Sequence, residues 1–250
     1  MYNLKKKIIQ PLGYDEPIVD KEFLALQQQR ALDIVGRSKR VLEVGCSTGS
    51  FTKHLRDQEC TVTCIEIDEE SARKAKGFAE SVIVGDVEEP AIWLKLPHKF
   101  EVILFMHVLE HLVDPWRVLR EARTLLAEGG FIIILIPNIA CWQTRQQLFF
   151  KGDFQYQKCG ILDLTHLRFF TFFTAQELIR EAGYTIEKKE VVGWTVPFAG
   201  KLKNLPLLRY LAPMWERAMI RLYPNLCGAF FLFKAVINKE INEGQRLQKD

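Results

Sequence analysis

The sequence predicts an α/β fold, a mostly parallel sheet with helices on both faces, on three observations. Short apolar runs alternate with helix-length amphipathic segments, the pattern of strands feeding crossover helices. The run Phe131 to Ile136 is apolar at consecutive positions, as a strand covered on both faces must be. The stretch "VLEVGCSTG", Val41 to Gly49, breaks from an apolar run into small residues, as a strand does when it enters a tight turn.

Taken in order, Lys21 to Val35 reads as an N-terminal helix. Strands are expected at Arg40 to Val44, Thr61 to Ile67, Ser81 to Val84, Glu101 to Met106 and Phe131 to Ile136. Between the last two, Asp114 caps a helix with Pro115 at its first position. That helix carries an apolar stripe of Trp116, Leu119, Ala122 and Leu126, and Gly129 lies beyond its end. Thr174 and Glu177 form a capping box for a helix over "AQELIREAG", stopped by Gly183. Tyr184 to Val192 and "GAFFLFKAVI" complete seven strands. A chain of 250 residues suits one domain: a helical cap over 1–38, a core over 39–193, inserts at 138–173 and 194–226, and a last strand at 227–237.

Composition narrows the function. With 48% hydrophobic and 26% charged residues the chain reads as soluble and globular, and its apolar runs fall far short of the ~18 residues of a membrane span. The basic N-terminal stretch lacks the apolar segment of a signal peptide, and six cysteines without paired spacing read as reduced thiols, so a cytoplasmic location is expected. A net charge of +3 gives no reason to expect a DNA partner.

The glycine turn asks what it binds. A dinucleotide fingerprint needs glycine at 45, 47 and 50, but positions 47 and 50 are Ser47 and Ser50, so close approach of a pyrophosphate is not provided for. A nucleoside without phosphates needs less room. Glu66 follows Gly45 by about 20 residues, the place of a carboxylate that accepts both ribose hydroxyls, and Asp86 in "VGDVEE" is placed to face an adenine amino group.

Four stretches in order, "VLEVGCSTGSFTKHL", "CIEID", "VGDVEE" and "FEVILFMHVLEHLVDPWRVLREARTLLAEGGFIIILIPN", resemble the class I S-adenosylmethionine-dependent methyltransferases over most of Arg40 to Val192. The resemblance implies a Rossmann-like seven-stranded sheet with a helical and aromatic cap, and S-adenosyl-L-methionine as cofactor. It implies contacts from Glu43, Gly45, Cys46, Ser47 and Gly49 in the first motif. Glu66 and Ile67 would hold the ribose, Asp86 and Val87 the adenine, with Met106 beside them. Family members more often carry glycine where this chain has Ser47.

On the acceptor side, "HVLEHL" offers His107, Glu110 and His111, and "DLTHLRFFT" offers His166 and Arg168. Three readings stand. His111 has the intrinsic pKa of a general base. H-x-x-E-H would set His107 and His111 one helical turn apart as metal ligands with Glu110 beside them, and His166 would complete the set. The histidines can also simply cap and pack. Small-RNA 2′-O-methyltransferases and ubiquinone-pathway O-methyltransferases resemble this stretch but carry E-x-x-E-H, so His107 departs from the metal-binding pattern. The catalytic candidates are therefore His111, His107 and His166, with no metal expected.

The aromatic insert, with Trp142, Phe149, Phe150, Phe154 and Tyr156 among its rings, either encloses an acceptor or packs a lid. The segment 194–226 interleaves Lys201, Lys203, Arg209, Arg217 and Arg221 with apolar residues, as a lid helix or as a peripheral contact with the inner face of a membrane. The resemblance implies O-methylation of a small-molecule, sugar or lipid-linked glycan acceptor. Quinone-type and RNA-end O-methyltransferases, and a non-catalytic cofactor-binding partner protein, are the alternatives.

Overall fold

The computed structural model of the protein describes residues 21–96, 99–194, 196–197 and 210–238. Seven strands, β1 (Arg40–Val44), β2 (Thr61–Glu66), β3 (Ser81–Val84), β4 (Phe100–Met106), β5 (Leu126–Pro137), β6 (Tyr184–Trp194) and β7 (Gly228–Ile237), form one sheet. Their order is β3-β2-β1-β4-β5-β7-β6. The first five run parallel, and β7 is antiparallel to both β5 and β6. The order reverses between β1 and β4, where open α/β sheets bind ligands beyond the strands' carboxyl ends.

Period-two alternation builds a core on each face. Leu42, Ile103, Phe105, Ile132, Ile134, Phe231 and Phe233 pack on one side with Val118, Leu119, Leu178 and Ile179 from helices. Val41, Leu104, Ile133, Leu135 and Leu232 pack on the other with Leu32 and Val35 of α1 (Lys21–Val35) and Phe51 and Leu55 of α2 (Ser50–Asp57). Helices α3 (Glu69–Ala75), α4 (Pro90–Trp93), α5 (Pro115–Thr124), α6 (Trp142–Gln146) and α7 (Phe172–Glu181) follow in chain order, and α5 is capped by Asp114, whose side chain accepts from Arg117 N–H.

Three local expectations are corrected. Leu126, expected in the apolar stripe of the Pro115 helix, lies in β5 instead, because that helix ends at Thr124; Gly129, at φ 72°, is beyond it as expected and inside the strand. β5 begins five residues before Phe131, because Leu126 pairs with Phe100 ahead of a register shift. The cap of the later helix (Phe172–Glu181) is Thr171, with Thr174 as its reciprocal partner, three residues before the expected box; Thr174 answers the cap through its hydroxyl, so no glutamate is required.

Candidate active site

At the carboxyl end of β1 the chain turns through three left-handed residues, Gly45 (φ 71°), Ser47 (φ 49°) and Gly49 (φ 81°). A Cβ on Gly45 would stand 2.8 Å from Val108 Cγ2, and one on Gly49 would stand 2.9 Å from Ala75 Cα, so both places exclude a side chain. Ser47 keeps the left-handed conformation that glycine adopts without strain, and its N–H donates to Glu66 Oε2 at 2.7 Å. Helix α2 starts immediately afterwards with no side chain capping it, so its first N–H groups point out of the turn.

Glu66 ends β2, almost fully buried, and its Oε1 accepts a second backbone bond from Asp68 N–H at 2.9 Å. Burial raises its pKa against the lowering effect of these backbone donors. Glu43 is buried one strand away and accepts from Thr52 Oγ1 at 2.6 Å; burial nevertheless pushes its carboxyl up to about 7. Cys46 is buried with its thiol donating to the Ser47 carbonyl at 3.6 Å, and a hydrogen bond with Cys64 and burial push that thiol up. Asp86, just beyond β3, accepts from Glu88 N–H at 2.9 Å, and Val87 is held by Trp93 Nε1 donating to its carbonyl. With Ile67 after β2 and Met106 ending β4, every residue expected on the cofactor side lies at the carboxyl ends of four adjacent strands.

Beyond β4 the geometry departs from the spacing argument. His107 is left-handed (φ 56°) and extends the ladder by donating its N–H to Leu135 O. Only Leu109–His111 then forms a short 3-10 turn. His107 and His111 are therefore not one α-helical turn apart. His107 Nε2 lies 2.9 Å from Gln27 Oε1 on α1, and its Nδ1 lies 3.4 Å from Glu110 Oε1.

Glu110 is wholly buried, and His166 comes in from the insert to put Nε2 4.0 Å from Glu110 Oε1. The backbone fixes this approach, because Glu110 O accepts from both Leu167 N–H and Arg168 N–H. His111 and His166 meet edge to face at 4.8 Å. Burial raises the Glu110 carboxyl, but the facing His107, His111 and His166 outweigh it and hold its pKa below the usual value; burial holds His166 below the usual imidazole value. Arg168 stacks over Trp116 and donates to Val113 O, outside the histidine cluster.

Sequence reasoning missed Gln27, Thr165 and Asp163. The last two lie inside the quoted "DLTH", where an Asp-x-Thr turn before a histidine was the available signal: Asp163 Oδ1 accepts from Thr165 N–H and Thr165 Oγ1. Gln27, 80 residues from His107, gave no local signal. The aromatic insert divides. Phe170 is buried and Phe172 packs on the core, while Phe149 is 82% and Phe150 68% exposed. Lys201, Lys203 and Arg209 lie outside the described residues. The following helix α8 (Ala212–Leu222) buries only Ala212, leaving Met214, Trp215 and Leu222 exposed near Arg217 and Arg221.

A family model described as a methyltransferase domain matches residues 20–189. The chain is 27% identical over 133 residues to the ubiquinone biosynthesis O-methyltransferase of Psychrobacter cryohalolentis, covering 51% of this chain and 52% of that one. It is 33% identical over 106 residues to the enzyme of the same name from Citrobacter koseri, covering 40% and 43%. The chain thus spans about half the length of the curated relatives it matches. Among solved structures, a SAM-dependent methyltransferase from Archaeoglobus fulgidus superimposes with a TM-score of 0.59 at 18% identity, over 84% of this chain and 93% of that one, a likeness of fold.

Proposed function

Because the chain belongs to the methyltransferase-domain family, we propose that it binds S-adenosylmethionine and transfers the methyl group to a hydroxyl oxygen of a small-molecule acceptor. The observation that carries this reading is the contact between two half-sites: Val108, in the loop that bears the histidine cluster, fills the space over Gly45 of the cofactor turn. The cofactor turn fits a nucleoside with a methionine tail. Gly45 and Gly49 allow the tight left-handed turn, the open start of α2 offers donors, and Glu66 and Asp86 stand at the adjacent strand ends where ribose and adenine would lie. Cys46 and Glu43 back the turn from the core.

In the reaction the acceptor oxygen attacks the methyl carbon in line. The carbon–sulfur bond breaks with its electron pair going to sulfur, and the hydroxyl proton leaves on the side of the loop that carries His107, Glu110 and His111. Holding the acceptor in line supplies most of the advantage, because the sulfonium already activates the carbon. The acceptor class that fits best is a lipid-linked or quinone-like molecule. Two similar proteins are named for ubiquinone biosynthesis, and the apolar, basic face of α8 suits peripheral contact at the inner face of an anionic membrane. Sugars remain within this class when lipid-linked.

The test is mass spectrometry of a cell extract incubated with purified protein and isotopically labelled cofactor. One small-molecule species gaining a single labelled methyl is expected. Folded protein that binds neither S-adenosylmethionine nor S-adenosylhomocysteine by calorimetry would remove the assignment.

A further inference from the structure

We infer that Glu110, His111 and His166 form a binding site for one divalent first-row transition-metal ion on the acceptor side. One ligand atom from each of these residues lies within 4.8 Å of the others, and Glu110 and His166 are buried. Neither Glu110 oxygen accepts a hydrogen bond from the described residues, although the side chain is fully buried. The nearest donor, His107 Nδ1, stands 3.4 Å from Oε1 outside hydrogen-bond geometry, so the buried carboxylate is under-satisfied, a costly state that a further positive charge would relieve.

The imidazoles point to the same conclusion through their hydrogen bonds. Thr165 Oγ1 gives its proton to Asp163 Oδ1 at 2.7 Å, so the 3.0 Å contact between His111 Nδ1 and Thr165 Oγ1 requires the proton on Nδ1. The Thr165 carbonyl at 3.2 Å, which can only accept, requires the same. His166 Nδ1 lies 3.1 Å from the Ile161 carbonyl and must likewise donate. In the neutral rings both Nε2 atoms therefore carry lone pairs. That is the arrangement by which outer hydrogen bonds fix the tautomer of metal-ligating histidines. Two imidazoles and one carboxylate favour zinc, cobalt, iron(II) or manganese over magnesium, which takes oxygen ligands.

His107 stands outside this set. Its Nδ1 faces Glu110 and its Nε2 faces Gln27, so it positions the carboxylate and ties it to α1. The sequence pattern suggested His107 and His111 as a ligand pair; the geometry instead pairs His111 with His166. For methyl transfer the inference rests on the reading of this loop as the acceptor side. An acceptor oxygen bound to the cation loses its proton to solvent at a lower pH, which relieves a free imidazole of that task.

The experiment uses tag-free full-length protein stripped with a chelator and titrated with Co²⁺, read by visible absorption and by zinc competition. One equivalent per chain is expected, together with a higher melting temperature in the metal-loaded form. Glu110→Gln, which keeps the side-chain shape, and His166→Ala should each weaken binding by at least about 100-fold, and His107→Ala by about 10-fold. Circular dichroism of Glu110→Gln checks that it folds. The inference is overturned if folded wild type shows no saturable binding of Co²⁺ or Zn²⁺ at about 1 mM, or if Glu110→Gln and His166→Ala bind as wild type does. Calorimetry with S-adenosylhomocysteine runs alongside. Cofactor binding without metal overturns only this inference, and metal binding without cofactor supports this site while removing the methyl-transfer reading.

Discussion

On the cofactor side Glu66 accepts backbone hydrogen bonds through both oxygens and Glu43 accepts one from Thr52, whereas on the acceptor side Glu110 is more deeply buried and accepts none. The two sides touch through Val108 and Gly45 yet handle their acids in opposite ways. Glu66 and Glu43 fix the shape of a turn, and the ligand meets a preformed surface. Glu110 is faced by three imidazoles, the nearest His107 Nδ1 at 3.4 Å, and the proposed cation would complete its interactions.

The sharpest break between the two sides is predicted for His111→Ala. Turnover with an acceptor found in the extract screen should fall by roughly 10² to 10⁴, whether the ring acts as base or as ligand. Calorimetric affinity for S-adenosylhomocysteine should stay within about threefold of wild type. A parallel loss of both would mean that the loop only supports the cofactor turn.

The next effect belongs to the scaffolding. The Glu43 carboxyl is raised from an ordinary 4.5 to about 7 by burial, so between these values the folded chain holds a proton that the unfolded chain releases. Stability from this group is full below pH 4.5 and is lost as pH rises to 7, by about 3 kcal/mol for roughly 2.5 units. Urea unfolding across that window should show the slope, and Glu43→Gln should flatten it. An unchanged slope in the variant would place the pH dependence elsewhere.

Glu66→Ala comes third. Loss of the carboxylate should weaken S-adenosylmethionine binding by about 1.5 to 3 kcal/mol, through the ribose and through the Ser47 turn that it braces. Glu66→Gln separates the two causes: it keeps an acceptor for Ser47 N–H, so recovery of most of the affinity would assign the loss to the turn.

The strand framework was legible because burial leaves an apolar signature, as in the central β1 and β7, and β3, a half-buried edge strand of apolar residues, also falls where the pattern puts it. The cofactor side was legible for a related reason: its residues are local to strand ends, and order along the chain becomes order across the parallel sheet. The acceptor side was legible only in its parts. A spacing of four between His107 and His111 has one meaning on an α-helix and another after a left-handed residue and a 3-10 turn. The contact that matters, His166 on Glu110, is fixed by Leu167 and Arg168 N–H groups docking on the Glu110 carbonyl from 57 and 58 residues away. Such tertiary pairing leaves no period in a sequence. Likewise Thr171 caps its helix in place of Thr174 because a hydroxyl at either position satisfies the local rule, and the packing of Phe172 on Phe231 decides between them.

The smallest expected effect tests whether the acceptor side continues outward onto a membrane. Helix α8 presents Met214, Trp215 and Leu222 to solvent with Arg217 and Arg221 on the same short element, and it follows β6, whose carboxyl end lies at the sheet edge that bears the site. Each arginine near an anionic surface contributes about 1 kcal/mol, screened by salt. Co-sedimentation with phosphatidylglycerol vesicles should therefore weaken about fivefold in Arg221→Gln and disappear as salt rises, with no binding to phosphatidylcholine alone. Trp215→Ser should weaken it further without changing the salt dependence, because an apolar anchor is not screened. Equal recovery of wild type in the supernatant with and without anionic lipid would confine the acceptor side to the histidine loop and make α8 a covering element whose exposed residues serve some other contact.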